Sequence, residues 1–108
     1  MDHIIARIKE QISGTPVLLY MKGTPDHPMC GFSAKAANCL KQLGQPFGYF
    51  NILQDQEIRS ELPKYANWPT FPQLWVKGEL VGGADIIAEM FDSGELAELL
   101  KDIEWPDE

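Results

Sequence analysis

Apolar residues follow two patterns along the chain: the spacing typical of amphipathic helices, and the short continuous runs typical of buried strands. Four isoleucines between positions 4 and 12 share one helical face, and Gly14 follows them as a helix-ending residue. Positions 16–21 form a short, continuous apolar run after a breaker, which favours a buried strand. The pattern predicts helices over 2–13, 31–43, 54–65, 86–91 and 95–103, and strands over 16–21, 47–52, 73–76 and 79–81.

The order of these elements predicts an α/β fold. A strand, a helix and a second strand in succession favour parallel pairing with a right-handed crossover, and Lys77-Gly78 between two apolar runs indicates a hairpin. The expected result is a four-stranded mixed sheet with helices on both faces. Pro72 fits the first residue of the third strand. A thiol loop, a helix and such a proline in this order resemble a thioredoxin-like fold.

Two details of the helices follow from the same pattern. The apolar face of the second helix is predicted to comprise Phe32, Ala36, Leu40 and Leu43. Pro63 is expected to strain or end the last turn of the third helix, because proline lacks the backbone N–H that a helix interior needs. The aromatic residues Phe50, Trp68 and Trp75 are interpreted as core residues.

Composition narrows the class of protein. A length of 108 residues suits one domain with one core, and a hydrophobic fraction of 44% excludes a disordered chain. The net charge of −7 disfavours nucleic-acid binding. No apolar run approaches the roughly 20 residues that span a bilayer, and the start of the chain does not resemble a signal peptide. A cytoplasmic protein without a membrane partner is expected.

Cys30 is the strongest candidate for chemistry. It follows a proline-rich loop over 23–28 and directly precedes the predicted second helix. A thiol at a helix N-terminus lies near backbone N–H groups without intrahelical partners, and this position lowers its pKa. Ser33 stands where a Cys-x-x-Cys motif would have its second thiol, and is either an ordinary first-turn residue or a hydrogen-bond donor to the Cys30 thiolate. A reactive or metal-binding thiol is favoured over a buried structural cysteine.

Cys39 is the only other cysteine in the sequence. If both cysteines lie on the second helix, they are separated by about half a revolution and about 13.5 Å along the axis. A disulfide needs Cα atoms within about 7 Å, so the two cannot bond. Cys39 is therefore predicted to be a core or flanking residue.

Three cationic residues are candidates for ligand binding. Lys22 ends the first predicted strand, near the place to which the Cys30 loop must return, and Arg59 and Lys64 lie on the third helix. Each is equally explained as a solvated surface residue. In an acidic chain, however, cations beside a thiol would lower its pKa and favour a ligand with carboxylates.

Two backbone segments could complete a binding site. Thr70-Phe71-Pro72 is either a plain loop or a turn with a cis Phe71–Pro72 bond that presents backbone groups to an extended peptide. Gly82-Gly83 before a helix forms a backbone nest suited to a carboxylate. Asp85 is either a helix N-cap or an acceptor for an ammonium group, and both can hold. The two isolated histidines are not expected to bind metal.

Four motifs in the right order give the chain a specific resemblance. They are Lys22-Gly-Thr-Pro25, Pro28-Met-Cys30-Gly-Phe-Ser33, Trp68-Pro-Thr-Phe-Pro72 and Gly82-Gly-Ala-Asp85. Together they resemble the monothiol glutaredoxins of the Cys-Gly-Phe-Ser type, and most of all the short, single-domain bacterial form. The resemblance covers essentially the whole chain and implies one glutaredoxin domain over 1–108 with a thioredoxin-like fold.

The resemblance also implies ligands and partners. Members of this family bind glutathione and hold a 2Fe–2S cluster between two protomers, with roles in cluster storage, transfer and iron homeostasis. Carried over by motif, Cys30 would be both the catalytic thiol and the cluster ligand. The residues that would hold glutathione are Lys22, Arg59, Thr70, Phe71, Pro72 with its cis bond, Gly83, Ala84 and Asp85. BolA-like proteins and apo iron–sulfur proteins are the implied partners.

One departure from the family pattern concerns Ala84, because the family commonly has a cysteine there. A backbone contact from this position to glutathione would survive the change. An intramolecular disulfide between this position and Cys30 is impossible in this chain.

Three functions remain open at the level of sequence. The preferred one is a cluster carrier, since a 2Fe–2S cluster normally needs four ligands and two chains with two glutathione thiols supply four. The alternative is a glutathione-dependent reductase that uses Cys30 alone. By family analogy, the insertion between Lys22 and Cys30 weighs against efficient turnover. The third possibility is a regulatory module that only binds another protein through its acidic surface.

Overall fold

The computed structural model describes residues 2–106 of the chain. Its elements, numbered in chain order, are α1 (Asp2–Gly14), β1 (Val17–Met21), α2 (Gly31–Leu43), β2 (Gly48–Asn51), a 3-10 turn (Ile52–Gln54), α3 (Gln56–Ala66), β3 (Gln73–Val76), β4 (Glu79–Gly82), α4 (Ala84–Ser93) and α5 (Glu95–Leu100). The second helix has its predicted bounds, and the other elements lie within a few residues of theirs. None of the helices within residues 2–106 combines the length and apolarity that crossing a bilayer requires.

The four strands form one mixed sheet in the order β2-β1-β3-β4. β1 pairs with β2 in parallel, in a register that places Leu19 opposite Tyr49. β1 and β3 are antiparallel, as are β3 and β4. The prediction of a parallel pair followed by a hairpin is therefore confirmed. Because β1 lies inside the sheet, all five of its residues are buried.

Alternate residues of β1 serve two separate apolar clusters, one on each face of the sheet. Val17, Leu19 and Met21 pack with residues of α2, α4 and α5. Leu18 and Tyr20 pack on the other face with residues of α1 and α3. This period of two is the normal consequence of strand geometry. It places the helix that begins after Cys30 and the helix that carries Arg59 on opposite faces of the sheet.

Pro63 lies inside α3 rather than at its end. The alternative that Pro63 ends the helix is wrong, although the helix ends within one residue of the predicted position 65. The helix continues to Ala66 and ends at Asn67, which has the left-handed conformation. The backbone N–H groups of Asn67 and Trp68 both donate to the Pro63 carbonyl, the latter at 3.1 Å. These bonds and the fully buried Leu62 hold the last turn in place.

The predicted apolar face of α2 is wrong at Phe32, whose side chain is 63% exposed. The residues that α2 buries are Ser33, Ala36, Ala37, Cys39 and Leu40. Phe32 lies only about 40° around the helix from the buried Ala36, so its exposure follows from its place in the first turn of α2, where it lines a surface cleft and not the core. The second strand ends at Asn51, one residue before its predicted end. The Asn51 side chain accepts the Leu53 N–H at 3.0 Å and starts the 3-10 turn.

Candidate functional site

Cys30 occupies the N-cap position of α2 in an extended conformation, with φ −161° and ψ 138°. Its thiol is partly exposed and free, and it makes no side-chain capping hydrogen bond. The backbone N–H of Ser33 holds the pKa of Cys30 below its ordinary value against the opposing effect of burial. The Phe32 N–H, the Ser33 hydroxyl and the Lys22 ammonium act in the same direction. The expected low-pKa thiol at a helix start is therefore present.

The loop between β1 and Cys30 has a fixed conformation. Gly23 has φ +93°, and a Cβ at this position would lie 2.5 Å from the His27 carbonyl oxygen. Thr24 and His27 exchange two backbone hydrogen bonds of 3.2 and 3.0 Å. The Met29 N–H donates to the Lys22 carbonyl at 2.9 Å, which closes the loop at its base. These bonds return the chain to the end of β1 and set the start of α2.

Ser33 connects the loop base to α2. It is fully buried, and its hydroxyl accepts the Lys22 backbone N–H at 3.0 Å. A hydroxyl can accept and donate at the same time, and the Ser33 hydroxyl also contributes to the lowered pKa of Cys30. The Ser33 hydroxyl therefore ties the loop base to α2, and its lowering of the Cys30 pKa favours the predicted role as a donor to the thiolate over that of an ordinary first-turn residue.

Cys30 opens into a cleft of about 770 Å³. All nine residues predicted for the site line this cleft: Lys22, Cys30, Arg59, Thr70, Phe71, Pro72, Gly83, Ala84 and Asp85. Its wall is completed by Phe32, Pro63, Trp68, Pro69 and Ile86, which the sequence interpretation did not assign to a site. The structure thus brings together residues from five separate parts of the chain.

The charged residues of the cleft come from both faces of the sheet. Arg59 projects from α3 on one face and Asp85 from α4 on the other, while Lys22 follows the buried strand β1. Asp85 is largely exposed, and its Oδ1 accepts a hydrogen bond from Lys35 Nζ at 3.1 Å. The interpretation of Asp85 as an N-cap is wrong, because Gly83 is the N-cap and α4 begins at Ala84.

The segment before β3 forms one wall of the cleft. The Phe71–Pro72 peptide bond is cis, as proposed from the sequence. Gln73 is fully buried, and its Nε2 donates to the carbonyl oxygens of Trp68 and Thr70 at 3.0 and 3.3 Å. Gln73 therefore holds the wall in place. The only sequence signal for this role was a polar residue inside an apolar strand.

Trp68 belongs to the cleft and not to the core. The prediction of a core residue is correct for Trp75, which is 6% exposed, and Phe50 packs at the edge of the core. Trp68 instead lines the cleft, and its Nε1 is buried without a hydrogen-bond partner among residues 2–106. A Cβ on Gly83 would lie 3.5 Å from this nitrogen, in ordinary van der Waals contact, so Gly83 packs directly beside the indole ring.

Other candidates from the sequence lie outside the cleft. Lys64 is paired with Glu61 at 3.5 Å, and His3 contacts Glu57 at 3.1 Å. Cys39 is buried, and burial raises the pKa of its thiol, which confirms its assignment to the core. Within residues 2–106, no three metal-ligating side chains lie together.

A four-stranded mixed sheet with a free thiol at a helix N-terminus, facing a cis-proline that precedes a strand, defines a thioredoxin-like protein. Residues 17–81 match the sequence model of the glutaredoxin family. The chain belongs to the glutaredoxin family.

Individual relatives support this assignment. The chain is 63% identical over 98 residues to Glutaredoxin 4 of Haemophilus ducreyi, which covers 91% of this chain and 92% of that protein. It is 59% identical over 102 residues to Glutaredoxin 4 of Escherichia coli strain K12, with coverage of 94% and 89%. These similarities extend over nearly the full length of both relatives.

Solved structures show the same fold. The solution structure of reduced poplar apo GrxS14 has a TM-score of 0.77 to this chain at 43% identity, covering 91% of this chain and 90% of that one. A monomeric truncated mutant of Trypanosoma brucei 1-C-Grx1 gives a TM-score of 0.82 at 36% identity, with coverage of 95% and 96%. Since glutaredoxins typically bind glutathione, the cleft beside Cys30 is the candidate site for that ligand.

Proposed function

We propose that this chain is a monothiol glutaredoxin of the Cys-Gly-Phe-Ser type that carries a 2Fe–2S cluster as cargo. In this proposal the cluster lies between two copies of the chain, and glutathione supplies the remaining thiolates. The carrier would act in iron–sulfur cluster biogenesis, storage or transfer and in iron homeostasis. The observation that carries the proposal is the single cleft that joins the low-pKa thiol of Cys30 to Lys22, Arg59 and Asp85.

The chemistry of the cleft suits glutathione. Lys22 and Arg59 offer cations for a ligand carboxylate, and Asp85 offers a carboxylate for an ammonium. Gly83 and Ala84 lie at the start of α4, where backbone N–H groups lack intrahelical partners and favour a second carboxylate. Glutathione has two carboxylates and one ammonium, with its thiol between them. A ligand held at these groups would bring its thiol to Cys30.

The supply of ligands favours a shared cluster. A 2Fe–2S cluster needs four ligands, usually thiolates, and Cys30 is the one free thiol that lines the cleft. Cys39 is buried in the core. Two chains and two glutathione molecules supply the required four thiolates. A set in which half of the ligands are exchangeable suits a carrier that must release its cargo.

The surface around Cys30 supports contacts with other chains. Met29 and Phe32 flank the cysteine in sequence and are 69% and 63% exposed. Exposed apolar side chains beside a reactive group are typical of an interaction surface. The proposed partners are a second copy of this chain, a BolA-like protein and apo iron–sulfur proteins. The proposed location is the cytoplasm, where reducing conditions keep thiols free.

Anaerobic reconstitution tests the proposal. The protein is incubated with iron, sulfide and reduced glutathione, and its visible spectrum and mass in solution are recorded. Wild type and the matched Cys39→Ala control are expected to form a coloured dimer, whereas Cys30→Ser is expected to stay colourless and monomeric. Omission of glutathione is expected to prevent cluster formation. A colourless wild-type monomer, or a cluster that survives in Cys30→Ser, contradicts the proposal.

A second candidate function is the reduction of protein–glutathione disulfides, favoured by the partly exposed, low-pKa thiol of Cys30. The Cys30 thiolate would attack the glutathione sulfur, release the protein thiolate and form a Cys30–glutathione disulfide. A second glutathione thiolate would then attack the sulfur of the bound glutathione, which releases the Cys30 thiolate and oxidised glutathione.

A coupled reductase assay on a glutathionylated protein separates the two functions. A carrier is expected to turn over slowly in this assay and to assemble the cluster. Fast turnover that is lost in Cys30→Ser, together with no cluster, would assign the chain to the enzymatic function instead.

A further inference from the structure

Lys35 and Asp85 form an ion pair at the rim of the cleft. Lys35 lies on α2, two residues after Ser33, and its Nζ is 3.1 Å from Asp85 Oδ1. Their side chains are 47% and 80% exposed. The pair joins two helices that pack on the same face of the sheet. It also places a cation directly beside the carboxylate proposed to bind the ligand's ammonium.

This pair can exchange partners with a ligand. Exposed ion pairs contribute little to folding stability, because water and salt screen them and two flexible side chains must be ordered. Opening the Lys35–Asp85 contact therefore costs little. A ligand that offers an ammonium to Asp85 and a carboxylate to Lys35 would replace one exposed pair by two.

We propose that Lys35 and Asp85 together recognise the free amino-acid end of the ligand, and that Lys35 is a specificity-determining residue for its α-carboxylate. This inference rests on glutathione binding in the cleft. The γ-glutamyl linkage leaves an α-ammonium and an α-carboxylate on the same carbon. In an ordinary α-linked peptide, the α-carboxyl group of the first residue forms the peptide bond, so no free α-carboxylate lies beside the α-ammonium.

Two ligands distinguish this arrangement from general charge attraction. γ-Aminobutyryl-cysteinyl-glycine has the glutathione backbone without the α-carboxylate. α-Glutamyl-cysteinyl-glycine has the same atoms and net charge as glutathione, but its free carboxylate is two methylene groups removed from the carbon that bears the ammonium. Lys35 is expected to discriminate against both peptides.

The direction of the change in Kd distinguishes a contact between Lys35 and the ligand from competition between Lys35 and the ligand for Asp85. If Lys35 only occupied Asp85, its removal would free the carboxylate and tighten glutathione binding. If Lys35 contacts the α-carboxylate, its removal weakens binding. The expected loss for an exposed contact between opposite charges is about threefold to fivefold in Kd.

The experiment measures Kd for reduced glutathione and for the two peptides by anaerobic calorimetric titration. The proteins are wild type, Lys35→Gln and the charge-matched control Lys101→Gln, whose lysine pairs with Glu98 at 2.8 Å and does not line the cleft. Lys35→Gln is expected to weaken glutathione about threefold to fivefold and not to weaken the decarboxylated peptide. Lys101→Gln is expected to change neither. The preference of wild type for glutathione over its α-linked isomer is expected to shrink in Lys35→Gln.

Three results would overturn the inference: tighter binding in Lys35→Gln, an equal loss for glutathione and the decarboxylated peptide, or no change in either. In each of these, wild type still binds glutathione and the proposed function stands. If wild type binds no glutathione at millimolar concentration, the proposed function fails as well.

Discussion

Replacement of Ser33 by alanine tests the link between the end of β1 and the start of α2. Ser33 is fully buried, and its hydroxyl accepts the Lys22 backbone N–H at 3.0 Å. Alanine leaves this N–H without its acceptor, and an unsatisfied buried group costs about 1–3 kcal/mol. This is a substantial part of the roughly 5–15 kcal/mol that holds a domain folded. The melting temperature is expected to fall by about 4–8 °C per kcal/mol lost.

The pKa of Cys30 is expected to respond much less to the same substitution. The first cause of its lowered value is the backbone N–H of Ser33, which alanine retains. Ser33→Ala should therefore lower the free energy of unfolding while Cys30 still reacts as a low-pKa thiol. Two measurements are needed: urea denaturation, and the pH dependence of alkylation at Cys30.

The matched control for this experiment is Ser13→Ala. Ser13 is exposed, and its hydroxyl donates to the Glu10 carbonyl at 3.3 Å within α1. Its replacement should change the free energy of unfolding by no more than about 0.5 kcal/mol. If Ser33→Ala is as mild as this control, the Lys22–Ser33 hydrogen bond does not stabilise the fold. If the alkylation midpoint moves to that of an ordinary cysteine, the hydroxyl and not the backbone sets the pKa.

Three further predictions concern acid stability, the Cys30 loop and thiol selectivity. Arg7 holds the pKa of Asp55 below its usual value, so the Arg7–Asp55 ion pair stabilises the fold above about pH 4, and this stabilisation is lost as the pH falls further. Asp55→Asn should lower the free energy of unfolding by about 0.5–1 kcal/mol near pH 7, and the difference from wild type should vanish in acid. Gly23→Ala should destabilise the protein by more than about 1 kcal/mol in urea denaturation, because its Cβ would meet backbone atoms at 2.5 and 2.7 Å in a left-handed conformation. Iodoacetamide near neutral pH should modify Cys30 and leave Cys39 unmodified, as read by peptide mass spectrometry, because Cys39 is buried with a raised pKa.

Controls for these three experiments exist in the same chain. Gly31→Ala places a Cβ in open space at the first residue of α2 and should be neutral or slightly stabilising, in contrast to Gly23→Ala. Asparagine at position 55 can still accept the Ile58 N–H as an N-cap, so Asp55→Asn isolates the charge. If the free energy of unfolding falls with decreasing pH in the same way in wild type and in Asp55→Asn, the role of Arg7 is refuted. Full unfolding in urea should expose Cys39 to alkylation.

The fold could be predicted from the sequence where the pattern was unambiguous. The apolar run at 16–21 gave β1, and the helix at 31–43 had clear boundaries because a proline-rich loop precedes it and Gly44 follows it in the left-handed conformation. Boundaries failed where a local capping hydrogen bond decides them. The Asn51 side chain starts the 3-10 turn, and the Pro63 carbonyl accepts the bonds that let α3 run past its proline.

The site could be predicted only in part, for a physical reason. Lys22, Cys30, Arg59 and Asp85 carry charge or a thiol and therefore stand out in a sequence. Trp68 and Gln73 carry neither, and an aromatic residue or a polar residue in a strand has commoner explanations. Lys35 is charged, but it belongs to none of the motifs and is equally explained as a solvated helix lysine. Their positions depend on how the sheet brings α2, α4 and the segment before β3 together, which no local pattern encodes.

The way the cleft is assembled has a thermodynamic consequence. Its walls come from the end of β1, from α3 and from the start of α4, so a molecule that fills it bridges segments far apart in the chain. Such a molecule binds the folded chain and not the unfolded one, and at about 100 times its Kd it adds about 2.7 kcal/mol of stability. The amount of folded protein in a cell is thereby tied to the supply of the ligand. Since a change of about 1–2 kcal/mol in stability can alter the abundance of a protein several-fold, a cell that runs short of such a ligand is expected to contain less of this protein, and not only to leave its cleft empty.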